Sequence, residues 1–186
     1  MTSFTRFVAA VAGICVVVAA AACRDANAPP VAAKPTAADS ADQILVRATF
    51  LLSTAGIQRG RLDADTAYVL DQESRFDLRR THVAFTTETG APQGTMEANR
   101  GIYDLRTHIL DGTGDVVVKL VDGKMLKSPH VVYNEIAHQI SSDTSFTITG
   151  PQGTQYGTGF TSNETFSKFN CLRSCGANFS VQLPAK

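Results

Sequence analysis

From Ile44 onward, hydrophobic residues return at every second position. Ile44, Val46, Ala48, Phe50 and Leu52 alternate with Leu45, Arg47, Thr49 and Leu51, and the run ends at Ala55-Gly56. A helix is the alternative for this first run, because Ile44, Leu45, Ala48, Leu51 and Leu52 also fit its spacing. Val83 and Phe85 form a second alternating run, Val116, Val118 and Leu120 a third. Phe146 and Ile148 sit among threonines, and Phe179, Val181 and Leu183 make a last run. Glycine clusters at 90, 112–115, 122–123, 150–153 and 157–159 are expected to be the turns between them. Short alternating runs with regular turn signals predict an all-β single domain, with no amphipathic helix after residue 55.

The pattern also repeats. In GTMEANRGIYDLRTHIL and GKMLKSPHVVYNEIAHQI a glycine precedes Met96 or Leu126, and Tyr103 or Tyr133 follows seven residues later. Asp104 or Asn134 comes next, then Leu110 or Ile140 seven residues past the tyrosine. A weaker copy places Leu62 six residues before Tyr68. Each unit reads as one hairpin turning just after the tyrosine. A hairpin cannot bury its own apolar face, so such units stack and share an interior. The first and last strands then lack a neighbour and are expected docking edges, the last one through Phe179, Val181 and Leu183.

The first forty residues behave differently. Arg6 is followed by an apolar run from Phe7 to Ala22, broken only by Gly13. That is the form of a secretory signal peptide over 1–22. Small residues run directly into Cys23, as in a bacterial lipobox, so Cys23 is the expected lipidation site and first mature residue. Residues 23–41, with Pro29, Pro30 and Pro35 among Ala, Asp and Ser, read as a semi-rigid tether. At roughly 3 Å per residue it lifts a domain about 50 Å from a membrane. The folded domain is expected over 42–186.

Losing 1–22 removes only Arg6, leaving 16 basic and 17 acidic side chains, a net charge of −1. No basic excess is available for nucleic acid. Of the four cysteines, Cys171 and Cys175 remain after Cys15 and Cys23. In an oxidising compartment they are expected to pair. Residues i and i+4 of a straight strand lie about 13 Å apart, beyond the roughly 7 Å a bridge spans. A bridge therefore requires Leu172-Arg173-Ser174 to turn.

The chain offers little for catalysis. Gly123-Lys124 lacks the rest of a phosphate loop, and no nucleophile elbow or His-Glu-x-x-His pair occurs. His82, His108, His130 and His138 are scattered singly, and no metal or cofactor is expected. Asp111, Asp115, Asp122 and Asp143 adjoin turn signals, where Asp caps backbone. The densest polar stretch is Glu97, Arg100, Tyr103, Asp104, Arg106, His108, Asp111 and Asp115. Its Tyr103-Asp104 recurs as Tyr133-Asn134 with the carboxylate lost, so its charged residues read as a wet outer face, with 111–115 as a turn. An enzyme is not expected.

The ordered set of motifs resembles the LptC family of periplasmic lipopolysaccharide-export proteins. It comprises Gly60, Leu62, Ala64 and Ala67, the Tyr103-Asp104 and Tyr133-Asn134 hairpins, and Gly157, Gly159 and Phe160, across roughly 42–165. The resemblance implies a twisted β-jellyroll of stacked antiparallel hairpins with open edges, whose apolar interior holds lipid acyl chains. It implies lipopolysaccharide as cargo, received from an inner-membrane ABC transporter (LptF/LptG type) and passed to a periplasmic LptA-like bridge protein. The groove would be formed by Val83, Phe85, Met96, Tyr103, Val118, Leu126, Phe146, Ile148 and Phe160. Family members are anchored by a transmembrane helix, whereas Cys23 suggests a lipid anchor here. The address is the periplasmic face of the envelope, the inner membrane favoured over the outer. A lipoprotein scaffold that binds envelope proteins through its edges is the alternative.

Overall fold

A computed structural model describes residues 36–179. The expected signal peptide, Cys23 and most of the tether lie outside the described residues, as do Val181 and Leu183. The tether's end is a single helical turn, α1 (Ala37–Ser40), whose start is closed by Asp39 Oδ2 accepting from the Thr36 N–H (2.8 Å) and hydroxyl (2.7 Å). Nine strands follow: β1 (Gln43–Thr54), β2 (Ile57–Leu70), β3 (Arg75–Thr86), β4 (Pro92–Asp104), β5 (Ile109–Leu120), β6 (Met125–Asn134), β7 (Gln139–Gly150), β8 (Gly153–Asn163) and β9 (Asn170–Phe179). They form one antiparallel sheet in chain order, β1 to β9, so β1 and β9 are its edges.

The tyrosine hairpins fold as the repeat predicts. Tyr103 pairs with Leu110 and Tyr133 with Ile140 across their turns. Asp104 Oδ1 accepts from the N–H of Arg106 (2.8 Å) and Thr107 (3.1 Å), and Asn134 Oδ1 from that of Ala137 (2.9 Å). Only an acceptor oxygen is used, which is why Asp and Asn interchange there. In the two-residue connection Ala55-Gly56 both residues have positive φ (53° and 78°), as a type I′ hairpin turn requires.

Two glycine clusters expected to be turns are not turns. Gly114 (φ 77°) and Asp115 (φ 55°) lie inside β5, and Gly159 (φ 71°) lies inside β8. They share a line across the sheet with Arg47 (φ 55°), Arg80 (φ 49°) and Ser174 (φ 49°). Ladder registers break or skip along the same line, as between Thr113 and Val116 and between Lys127 and Val132. One extra residue in a left-handed or bulged conformation bends a strand without ending it. The insertion also swaps which face each alternate residue occupies. Ile44 and Val46, before the β1 bend, therefore point outward, whereas Ala48, Phe50 and Leu52 after it pack inward.

Bending every strand folds the sheet onto itself. Phe50 is level with Leu62 and Val83 in the ladder, yet its ring lies 4.7 Å from that of Phe76, which pairs with Val69 on the other half. Phe85 and Tyr133 meet in the same way, at 5.0 Å. One hydrophobic core runs between the halves from Ala48 to Phe166. This is the folded hairpin stack of a β-jellyroll.

Candidate functional site: the folded interior and its two ends

The nine groove residues named from sequence, from Val83 to Phe160, all face this interior, and none is more than 8% exposed. They belong to one packed cluster. The β1 end is closed by Phe50, which rests on Phe76 and on Tyr103 (6.2 Å). The β9 end is closed by Phe146, Phe160, Phe166 and Phe169, whose ring centroids lie 5.2–6.3 Å apart. A cleft of about 330 Å³ opens onto this second cluster. Its floor is Ile148, Phe166 and Phe169, and its rim holds the Asp122–Lys124 ion pair (2.6 Å) and the Gly150–Gly153 turn.

Polar side chains close the hairpin ends around the apolar rows. Tyr103 donates its hydroxyl to Glu135 Oε2 (3.1 Å), and His108 Nδ1 lies 3.4 Å from the same oxygen. One hairpin later Tyr133 donates to Glu164 Oε1 (2.6 Å), with His138 Nδ1 at 3.2 Å. Each glutamate stands on the next turn and ties neighbouring hairpins together. Burial pushes both tyrosine hydroxyls above their usual range, and the adjacent carboxylates push further, so both remain donors.

Outside, charged side chains brace the bends. Asp77 sits under Arg79 and Arg100; Arg100 grips it with Nε–Oδ1 at 3.0 Å and Nη2–Oδ2 at 2.5 Å. Burial alone would raise the Asp77 carboxyl, but the two guanidiniums outweigh it and hold it below the carboxylate range. His130 bridges two strands, Nδ1 to Asp143 at 2.9 Å and Nε2 to Asp111 at 3.1 Å. Burial opposes its charge, but the bonds to Asp143 and Asp111 prevail and lift the imidazole above its ordinary value. Asp111 and Asp143 are therefore cross-strand partners rather than turn caps, and His130 is not simply solvated. Asp122 does cap a turn, through the Lys124 N–H (3.1 Å). Among the described residues no group of three His, Cys, Asp or Glu side chains could hold a metal.

The last strand begins at Asn170, earlier than the run expected from Phe179, and Phe179 is its final residue. Cys171 and Cys175 are bonded within it, their Cα atoms 6.1 Å apart. The chain reaches that distance by bulging at Ser174. Gly157 on β8 makes room: a Cβ there would sit 2.6 Å from Cys171 Sγ. On the outer face of β1, Ile44, Val46 (73% exposed) and Leu51 are open to solvent.

Sequence reasoning missed Phe166, Phe169, Glu135 and Glu164. The repeated Asn-Glu pairs, 134–135 and 163–164, were the available signal for the glutamates.

A family model described as lipopolysaccharide-assembly, LptC-related, matches residues 7–174. Among solved structures the fold is similar to LptH, the LptA-homologous periplasmic component of the lipopolysaccharide transport device from Pseudomonas aeruginosa. That match has a TM-score of 0.50 and 13% identity, and covers 68% of this chain and 90% of LptH. No curated protein matches the chain.

Proposed function

The chain belongs to the LptC-related family of lipopolysaccharide-assembly proteins, and from that premise we propose that its folded interior carries lipid acyl chains across the periplasm. In this reading lipopolysaccharide arrives from an inner-membrane ABC transporter of the LptF/LptG type and leaves for an LptA-like bridge protein. Cys23 holds the protein to the inner membrane through a lipid, and the proline-rich tether sets the domain's height. The edges β1 and β9 are the joining surfaces, since each ends the ladder among the described residues.

The observation that carries this reading is the convergence of all nine groove residues on one apolar interior with a cleft beside Ile148. The cleft's volume falls within the range of ligand sites, roughly 300–1,000 Å³. Transfer of an acyl chain from bilayer to interior exchanges one apolar environment for another. Each is worth about 0.8 kcal/mol per methylene over water. The exchange is therefore near neutral, so lipid can enter and also leave. The net driving force then comes from the transporter.

Photo-crosslinkers at Phe85 and Ile148 are expected to capture lipopolysaccharide in cells, and one at exposed Lys119 is not. Equal capture at all three positions would overturn the proposal. The exposed apolar row on β1 favours a second reading, a scaffold that binds protein without lipid. It predicts partner capture at Val46 with no lipid at Phe85.

A further inference from the structure

We propose that the cleft at the β9 end is the port by which a single acyl chain passes between solvent-facing surface and interior, and that the loop 164–169 is its lid. The inference rests on the acyl-carrier reading and assigns the place and the moving part. The lipid it takes is amphipathic: the chain goes under the loop, and the polar head stays at the Asp122–Lys124 rim.

Three observations support it. The interior is filled, so passage of a chain requires some ring to move. Phe50, Phe85, Phe146 and Phe160 stand within paired strands, which hold their Cα positions. Phe166 and Phe169 stand on the loop between β8 and β9, and they separate the cleft from Phe146 and Phe160. Swinging them outward makes the cleft continuous with the interior.

The loop is also held in a conformation it does not prefer. Phe166 has φ 51°, a left-handed conformation that is unfavourable for a bulky side chain. Side-chain bonds keep it there. Glu164 receives the Tyr133 hydroxyl and faces His138. Asn163 donates to the hydroxyls of Thr165 (2.9 Å) and Ser167 (2.8 Å) and accepts from the Lys168 N–H (3.0 Å). Releasing those few bonds lets the backbone relax, so the closed loop is a latched state.

The neighbouring turn supplies the contrast. Glu135 makes the same contacts to Tyr103 and His108, but its turn carries Ile136 and Ala137, and Ile136 points into solvent. The latch repeats along the stack, and only at the β9 end does it hold aromatic rings over the interior.

The test uses dansyl-labelled dodecanoic acid as probe and follows its entry by stopped-flow fluorescence. Glu164→Gln keeps the rings and weakens the latch, because the amide oxygen accepts from Tyr133 without the carboxylate's charge; its entry rate is expected to rise about fivefold, the effect of exchanging a charge-assisted bond for a neutral one. Phe169→Ala is expected to raise it further, and Glu135→Gln to leave it unchanged. Thermal melts confirm that each variant is folded, and Glu164→Gln alone decides if Phe169→Ala is not. Equal rates in wild type and Glu164→Gln, with the probe still crosslinking at Phe85, overturn the port and leave the carrier intact. No probe binding by any form overturns both.

Discussion

The two ends of the interior are closed by the same kind of side chain on different kinds of backbone. At the β1 end Phe50 belongs to a strand, and it lies on Phe76 and Tyr103 from two others. At the β9 end Phe166 and Phe169 belong to a loop held by side-chain bonds, beside an edge strand pinned by a disulfide. A ring on a paired strand has its Cα held by the ladder and can move by its rotamer alone. A ring on a loop moves at the cost of a few local contacts. The comparison teaches that one end is built as wall and the other as door.

Three substitutions probe that difference. Phe76→Ala is expected to cost about 3–5 kcal/mol, because it empties a position enclosed by strands on both halves. Phe169→Ala should cost about 1–2 kcal/mol, since its ring is only partly buried. Denaturant unfolding measures both, and equal costs would erase the distinction. Replacing Cys171 and Cys175 by Ser should fall between them, at about 2 kcal/mol from the chain-entropy of a short loop. Hydrogen exchange should quicken across Asn170–Phe179 and stay unchanged in β1. A β1 response would mean the two edges are coupled.

The smallest effect concerns pH, at the brace between the ends. The folded His130 imidazole titrates above its ordinary value of 6.5. Its pairing with Asp111 and Asp143 therefore contributes fully below that pH and is lost as pH rises through the raised value. The melting temperature of His130→Gln should fall furthest below wild type in mild acid and approach it in mild alkali. A gap that stays constant with pH would show the ring acts by packing alone.

Much of this is legible in the sequence. Period-two alternation is a local signal, and it placed Val83, Val118 and Ile148 on inward strand faces, while the repeat supplied Met96 and Leu126. The tyrosine repeat set the register of two hairpins. The bends were hidden, because a bulge takes one residue and Arg47 and Arg80 look like ordinary strand residues. Where glycine marked a bend, as at Gly112–Asp115, the mark was the same as for a turn. Phe166 and Phe169 were invisible for a related reason. They lie off the alternation, so a reading based on period discards them, although they close the interior.

The line of bends has a consequence for size. Because every strand turns at the same height, the domain has one cross-section repeated along its length, as an extruded profile does. Strand number then sets the length of the interior, and bend position sets its width. A second domain that joins at an edge must bring strands bent at that same height. In the proposed edge-to-edge joining, the angle of the sheet is the gauge that admits matching profiles and turns away flat ones.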